Sequence, residues 1–268
     1  MVDRLRMSQA NRQRIENIDQ CFAPQGQTLW AEGRVLVGEG VLMKMCRKKA
    51  KPRQFFLFND LLVYGSILIS KRRYHKQRII PLEQVKLDDL KDDGNVKHGW
   101  NIMARGKSFT VYAATETEKQ EWMLHINRCV TDLYKHGKRP SLDLAAVWVP
   151  DSDASECMCC KSSTFTLINR RHHCRSCGHV ICGNCSTNRF VLPGINKRPV
   201  RVCDDCYKKL AAGDHSVVQP EVMKNEVSTH FETDESEDDD NDDRTQSSDE
   251  MGTTFYGSGP TTRAPTAL

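Results

Sequence analysis

Between Val35 and Tyr112 the apolar residues come in short β-branched and aromatic runs, broken by charged and turn-forming residues. That rhythm predicts strands. Val35–Cys46 reads as the first strand, and Arg47 to Arg53 as a basic turn containing Pro52. Gln54–Phe58 and Leu61–Tyr64 are strands around an Asn59-Asp60 turn. Arg78–Ile80, Val85–Leu87, Gly99–Met103 and Lys107–Tyr112 continue the series. The period then changes. Thr115-x-x-Glu118 matches a capping box. Trp122, Ile126, Cys129 or Val130, and Leu133 fall at helical spacing on one inward face.

Outside this block, Asn11–Phe22 places Ile15, Ile18 and Phe22 on one face, a short amphipathic helix expected to pack on its neighbour. Gly137–Leu144 reads as a linker. After Gly213 the chain is polar, acidic and poor in aromatics, so disorder is expected. The resulting organisation is an N-terminal helical extension (1–32), a strand-rich domain (33–136), a linker (137–145), a small cysteine-rich domain (146–211) and an acidic tail (212–268).

Charge sharpens this division. The net charge of +4 hides a tail with fourteen acids against three bases from Gly213 onward, which leaves +15 on the rest. A body that positive suits an anionic surface, lipid or nucleic acid. The run Asp234–Asp243 is expected to solubilise; a sharper expectation is that it folds back on a basic pocket and competes with an anionic ligand. No segment has the apolar length to span a bilayer. The opening Met1–Met7 lacks the apolar core of a secretory signal, so a cytoplasmic protein is expected.

In such a compartment the cysteines read as metal ligands, not disulfides. Eight of the twelve form four pairs: Cys157-x-x-Cys160, Cys174-x-x-Cys177, Cys182-x-x-Cys185 and Cys203-x-x-Cys206. Two such turns complete a tetrahedral zinc shell, so four make two closed, structural sites. The interleaving suits a cross-brace, with Cys157, Cys160, Cys182 and Cys185 on one zinc and Cys174, Cys177, Cys203 and Cys206 on the other. Spacing alone leaves other pairings open. Cys159 lies inside the first pair and is read as a bystander that could compete as a ligand.

Between the first two pairs, Leu167 and Ile168 precede the basic run Arg170-Arg171-His172-His173-Cys174-Arg175. Trp148-x-x-Asp151 lies upstream, and Arg201-Val202-Cys203 downstream. With these three elements around four cysteine pairs, the chain resembles the FYVE zinc fingers over about Ala146 to Leu210. The resemblance implies a cross-braced two-zinc fold that binds phosphatidylinositol 3-phosphate on endosomal membranes. It implies headgroup contacts from Trp148, Asp151, Arg170, Arg171, His172, His173, Arg175 and Arg201, and membrane insertion by Leu167 and Ile168. Guanidinium groups suit such a phosphate because they bind it bidentately. Phosphate also favours protonated imidazole, so binding through His172 and His173 is expected to strengthen as pH falls from about 7.4 toward 6.

The seven strands and one late helix with an early Trp122 resemble a pleckstrin-homology (PH) domain, as does the run Phe55-Phe-Leu-Phe-Asn-Asp-x-Leu-Val-Tyr64. That resemblance implies a strand barrel capped by its C-terminal helix. It also implies an inositol-phosphate pocket at Lys44, Lys51 and Arg53, with Arg47 to Lys49 near the membrane. A mainly β, two-domain chain in this order resembles the Phafin adaptors. The expectation is a non-catalytic, peripheral protein of early endosomes, extending to lysosomes or autophagosomes. It would bind phosphatidylinositol 3-phosphate and other phosphoinositides, and endosomal GTPases or kinases. Two other readings are a RING-like ubiquitin ligase and a nucleic-acid-binding zinc protein. Against the first, eight cysteines leave no ligand slot for a histidine. Against the second, no aromatic stacking positions interleave with the bases.

Overall fold

The computed structural model describes residues 8–69, 72–92, 97–141, 143–214 and 252–256. The chain enters through α1 (Gln9–Phe22), capped by Ser8, whose Oγ accepts from the Asn11 amide at 3.1 Å. Seven antiparallel strands follow: β1 (Leu36–Met45), β2 (Ala50–Phe58), β3 (Leu61–Ile69), β4 (Arg73–Pro81), β5 (Lys86–Asp89), β6 (Gly99–Met103) and β7 (Phe109–Tyr112). They lie in the order β4-β3-β2-β1-β7-β6-β5. Helix α2 (Glu116–Lys135) then closes the barrel. Its expected capping box forms: Thr115 Oγ1 accepts from the Glu118 amide at 3.1 Å, while the Glu118 carboxylate accepts from the Ala114 amide at 2.9 Å.

Alternation along β2 explains the apolar run Phe55–Phe58. Phe55 and Leu57 point into the barrel, where they meet Trp100, Phe109, Trp122 and Ile126. Phe56 and Phe58 point outward, yet they are buried because Ile15, Ile18 and Phe22 of α1 cover them. Burying those three helix side chains contributes at most roughly 5–8 kcal/mol. A buried asparagine locks the helix in place: Asn11 Nδ2 donates to the Arg34 carbonyl at 2.9 Å, and its Oδ1 accepts from the Leu36 amide at 3.0 Å.

Strand β2 begins at Ala50, which corrects the expected basic turn ending at Arg53. Lys44 pairs across to Lys51, and Leu42 to Arg53, so the turn shrinks to residues 46–49. Pro52 is tolerated because pairing of β2 with β3 begins only at Arg53.

The second unit has two small ladders, β8 (His172–His173) with β9 (Val180–Ile181), and β10 (Arg189–Phe190) with β11 (Val200–Arg201). It ends in α3 (Asp204–Ala211). One short piece of the expected disordered tail is a strand: β12 (Thr254–Phe255) pairs with β1. The run Asp234–Asp243 lies outside the described residues. Among the described residues, no helix is long and apolar enough to cross a membrane.

Candidate functional site

Folding gathers the cysteines into two groups: Cys157, Cys160, Cys182 and Cys185, and Cys174, Cys177, Cys203 and Cys206. Within each group all four sulfurs lie within 4.8 Å of one another. Backbone amides point at them: Cys182 N–H donates to Cys157 Sγ at 3.2 Å, and Cys203 N–H to Cys174 Sγ at 3.2 Å. Such donors suit thiolates that carry charge. Two all-sulfur, tetrahedron-sized sets fit two zinc ions, and four protein ligands per ion leave no position for a substrate. Cys159 belongs to neither set; its Sγ lies 3.6 Å from an Asp205 carboxylate oxygen.

The basic run crosses between these sets. Cys174 anchors its end, and Arg175 N–H bonds the Arg201 carbonyl at 2.9 Å, so β8 and β11 are held side by side. Arg170 is exposed, whereas Arg171, His172, Arg175 and Arg201 are half-buried. The Arg171 guanidinium lies 4.9 Å from the Phe165 ring centre and donates through Nε to the Ala154 carbonyl at 3.2 Å. Arg175 sits 4.1 Å over the Trp148 ring, and Trp148 stacks on His173 at 4.6 Å.

Leu167 and Ile168 are 92% and 95% exposed. A tight turn presents them. Thr166 Oγ1 accepts from the Ile168 and Asn169 amides, and Asn169 Nδ2 donates to the Thr164 carbonyl at 2.7 Å.

Asp151 and His173 are buried at the junction with the barrel. Arg47 reaches across from the first hairpin, its Nε 3.2 Å from Asp151 Oδ2 and its Nη2 donating to the Arg171 carbonyl at 3.1 Å. Burial pushes the Asp151 carboxyl up from its ordinary range, and the Arg47 and Arg171 guanidiniums pull against that shift. Asp151 is thus closed off from solvent, one carboxylate oxygen on Arg47 and the other 3.6 Å from His173 Nε2. Arg47 was expected at a membrane with Lys48 and Lys49; it faces the finger instead. No local signal links two residues this far apart in the chain.

His173 Nε2 hydrogen-bonds the Val149 carbonyl at 2.8 Å. Burial lowers its pKa to about 4, with help from the Arg47 and Arg175 charges. This corrects the expected titration of both histidines: His173 stays neutral from pH 7.4 to 6, because charging it would bury an imidazolium among guanidiniums.

Other contacts tie the two units together. Ser108 bridges Val147, the Ala145 amide donates to the Ala104 carbonyl at 3.0 Å, and Arg105 Nε donates to the Gly194 carbonyl. Between them lies a cavity of about 40 Å³, lined by Lys44, Arg47, Lys107, Trp148 and His173 among others. That volume holds a few water molecules. Lys44 is buried, its ammonium 4.7 Å over the Phe109 ring. Arg53 is also buried and donates to the Pro52 carbonyl at 3.0 Å, while Lys51 is half-exposed. Lys44 thus lines the cavity at the junction while its side chain is closed off from solvent.

Burial, followed by the charge of Lys44, lowers the Lys107 pKa to about 7. The unfolded chain holds this proton up to its ordinary lysine pKa, so the folded state binds fewer protons above about 7. Folding stability from this group therefore rises with pH above about 7, and is lost as pH falls through that value. The melting temperature of wild type relative to Lys107→Met should climb between pH 6.5 and 9, by scanning fluorimetry; a constant difference would contradict the burial.

This geometry defines the class: a strand barrel closed by its C-terminal helix, followed by a cross-braced two-zinc finger. Comparison with known proteins agrees. Residues 147–212 match the FYVE zinc finger family, and residues 25–129 match the SOS1/NGEF-like PH domain. The chain is 60% identical to human pleckstrin homology domain-containing family F member 2 over 82% of its own length and 89% of the relative's. It is 53% identical to an uncharacterised Caenorhabditis elegans protein, covering 96% of this chain and 97% of that one. A solved Leishmania major FYVE domain is 49% identical, covering 24% of this chain and 77% of that domain, with a TM-score of 0.23. The chain belongs to the pleckstrin homology domain-containing family F, the Phafin proteins.

Proposed function

We propose that this protein is a non-catalytic adaptor that reads phosphatidylinositol 3-phosphate on early endosomes and regulates endosomal membrane traffic, with a further role in lysosomal or autophagic signalling. FYVE domains bind phosphoinositides and PH domains bind lipids, and the two matched families indicate no enzymatic domain. The observation that carries the reading is the turn Thr164–Asn169. It holds Leu167 and Ile168 almost fully in solvent, and the chain leaves it directly into Arg170 and Arg171. A soluble surface gains nothing from two adjacent aliphatic side chains held out in this way. A bilayer does, at about 0.8 kcal/mol per buried methylene, and the bases beside them add about 1 kcal/mol each near an anionic leaflet.

In this reading the finger is the address reader. Arg171, Arg175 and Arg201 converge on the phosphate, His172 orients the headgroup, and Arg170 meets the leaflet surface. The barrel and finger move as a tethered pair, so a weak second contact from the barrel raises residence on the membrane. Lys51 with Lys48 and Lys49 supplies that contact more readily than the buried Lys44 and Arg53.

The test is vesicle co-sedimentation across a phosphoinositide panel, with the double variant Leu167→Ser/Ile168→Ser beside wild type. The expected result is selection of the 3-phosphate by wild type. The double variant should lose roughly 3–5 kcal/mol of vesicle binding, given partial burial of both side chains. Its affinity for soluble inositol 1,3-bisphosphate should be unchanged. Equal vesicle binding by both proteins would remove the insertion step. Binding that tracks total charge and ignores the phosphate position would favour a nucleic-acid partner.

A further inference from the structure

Strand β1 has one edge that two different partners share. Met43 and Lys44 pair with β7, while the earlier half, Gly38 and Glu39, pairs with β12. An open half-edge beside a helix is a ready template for an added strand. Two features show that this one is shaped for a particular strand.

The first is backbone shape. Val37-Gly38-Glu39-Gly40-Val41 places two glycines inside a strand, where glycine weakens pairing. Both are explained by what lies on them. A Cβ on Gly38 would collide with the Phe255 ring, and one on Gly40 with Thr253. The glycines leave a flat floor on which those side chains rest.

The second is that each side chain has its own fitted contacts. Phe255 lies edge-on to Trp122 at 5.2 Å and stacks on His125 at 4.1 Å. Thr253 Oγ1 accepts from Nε1 of the fully buried Trp122 at 3.1 Å and donates to the Glu118 carboxylate. Tyr256 donates its hydroxyl to Glu39, lies 4.3 Å beneath the Arg14 guanidinium, and sends its amide to the Val37 carbonyl at 2.7 Å. Alternation sends Thr253 and Phe255 toward α2 and Tyr256 toward α1, so one short strand touches both cores of the barrel.

We propose that the groove between β1 and α2 is a strand-addition peptide site, recognising the pattern Thr-x-Phe-Tyr, and that Thr253–Tyr256 is its resident, exchangeable ligand. Released, the segment opens the β1 edge to a strand of the same pattern. The cis segment wins by effective concentration, so an added peptide is excluded until the resident leaves.

The experiment uses the full chain, Phe255→Ala, and the acetylated peptide Gly-Thr-Thr-Phe-Tyr-Gly. Hydrogen exchange is followed over residues 35–40, with Trp122 emission as a second readout. Wild type should exchange slowly there and ignore the peptide. Phe255→Ala should exchange roughly tenfold faster or more, and the peptide should restore protection, while its Phe→Ala version should not. Equal exchange in the two proteins would overturn the latch. Faster exchange that no peptide restores would overturn the recognition site and leave only packing.

Discussion

Removing zinc with excess chelator should unfold residues 157–206 and leave the barrel folded. Apart from its cysteines, the finger's larger buried aliphatic side chains are Val180, Ile181, Leu192, Val202 and Leu210. A unit this small cannot order its chain on so few aliphatic side chains, so metal binding is its folding energy. Structural zinc sites are worth about 10–16 kcal/mol in apparent terms. The barrel draws instead on Phe55, Leu57, Trp100, Phe109, Trp122 and Ile126, none of which touches a metal cluster. Limited proteolysis with mass mapping separates the two outcomes: cleavage throughout 157–206 and protection across 36–135. Cys174→Ser should reduce the metal content from two zinc ions to one or none, and abolish phosphoinositide binding. Cys159→Ser should retain both ions, because its sulfur lies outside each set. Loss of zinc in Cys159→Ser would show that the two closed sets are wrongly drawn.

Arg171→Ala should abolish selection of the 3-phosphate. The Phe165 ring and the Ala154 carbonyl hold this guanidinium, so little ordering remains to be done when phosphate arrives. Removing one partner of a charge-assisted, positioned pair costs about 2–4 kcal/mol, a loss of roughly thirty- to thousand-fold. Arg171→Lys should recover only part of that, since an ammonium keeps the charge and loses the bidentate fork. Titration calorimetry with soluble inositol 1,3-bisphosphate isolates the headgroup from the membrane. Arg47→Ala should act in the opposite direction. It uncovers Asp151, which the barrel's hairpin holds through a 3.2 Å ion pair. Headgroup affinity should then rise several-fold, while hydrogen exchange at the Asp151 amide, bonded to the Arg47 carbonyl, should quicken. Weaker headgroup binding by Arg47→Ala would make Arg47 a ligand, not a cover.

How far these sites were legible differs residue by residue. The cysteine pairs and the basic run carry their chemistry in local spacing, and the structure gathers the pairs as the cross-brace expects. Leu167 and Ile168 were expected at a membrane by resemblance, and the structure exposes both. Asp151 and His173 were expected as headgroup contacts by resemblance, but their burial was not legible, because burial is set by what packs on top. Lys44 and Arg53 were expected in an inositol-phosphate pocket by resemblance; both are buried, Lys44 at the junction cavity and Arg53 against its own hairpin, and burial is again set by packing. The C-terminal Thr253–Tyr256 was absorbed into an acidic tail, since four residues are too few to show a period.

The sequence alone determined the four cysteine pairs, the strand-barrel-then-finger order, the helix caps and the resemblance to the family. The pairs and the caps depend on residues a few positions apart, where spacing and geometry are nearly the same thing. Only the tertiary structure decided how the cysteine pairs combine, that Arg47 pairs with Asp151, that Lys107 is half-buried near Lys44, and that Phe255 rests on Gly38. Those contacts join residues as much as 217 positions apart. Their energies come from desolvation and packing at surfaces that exist only once both partners have folded.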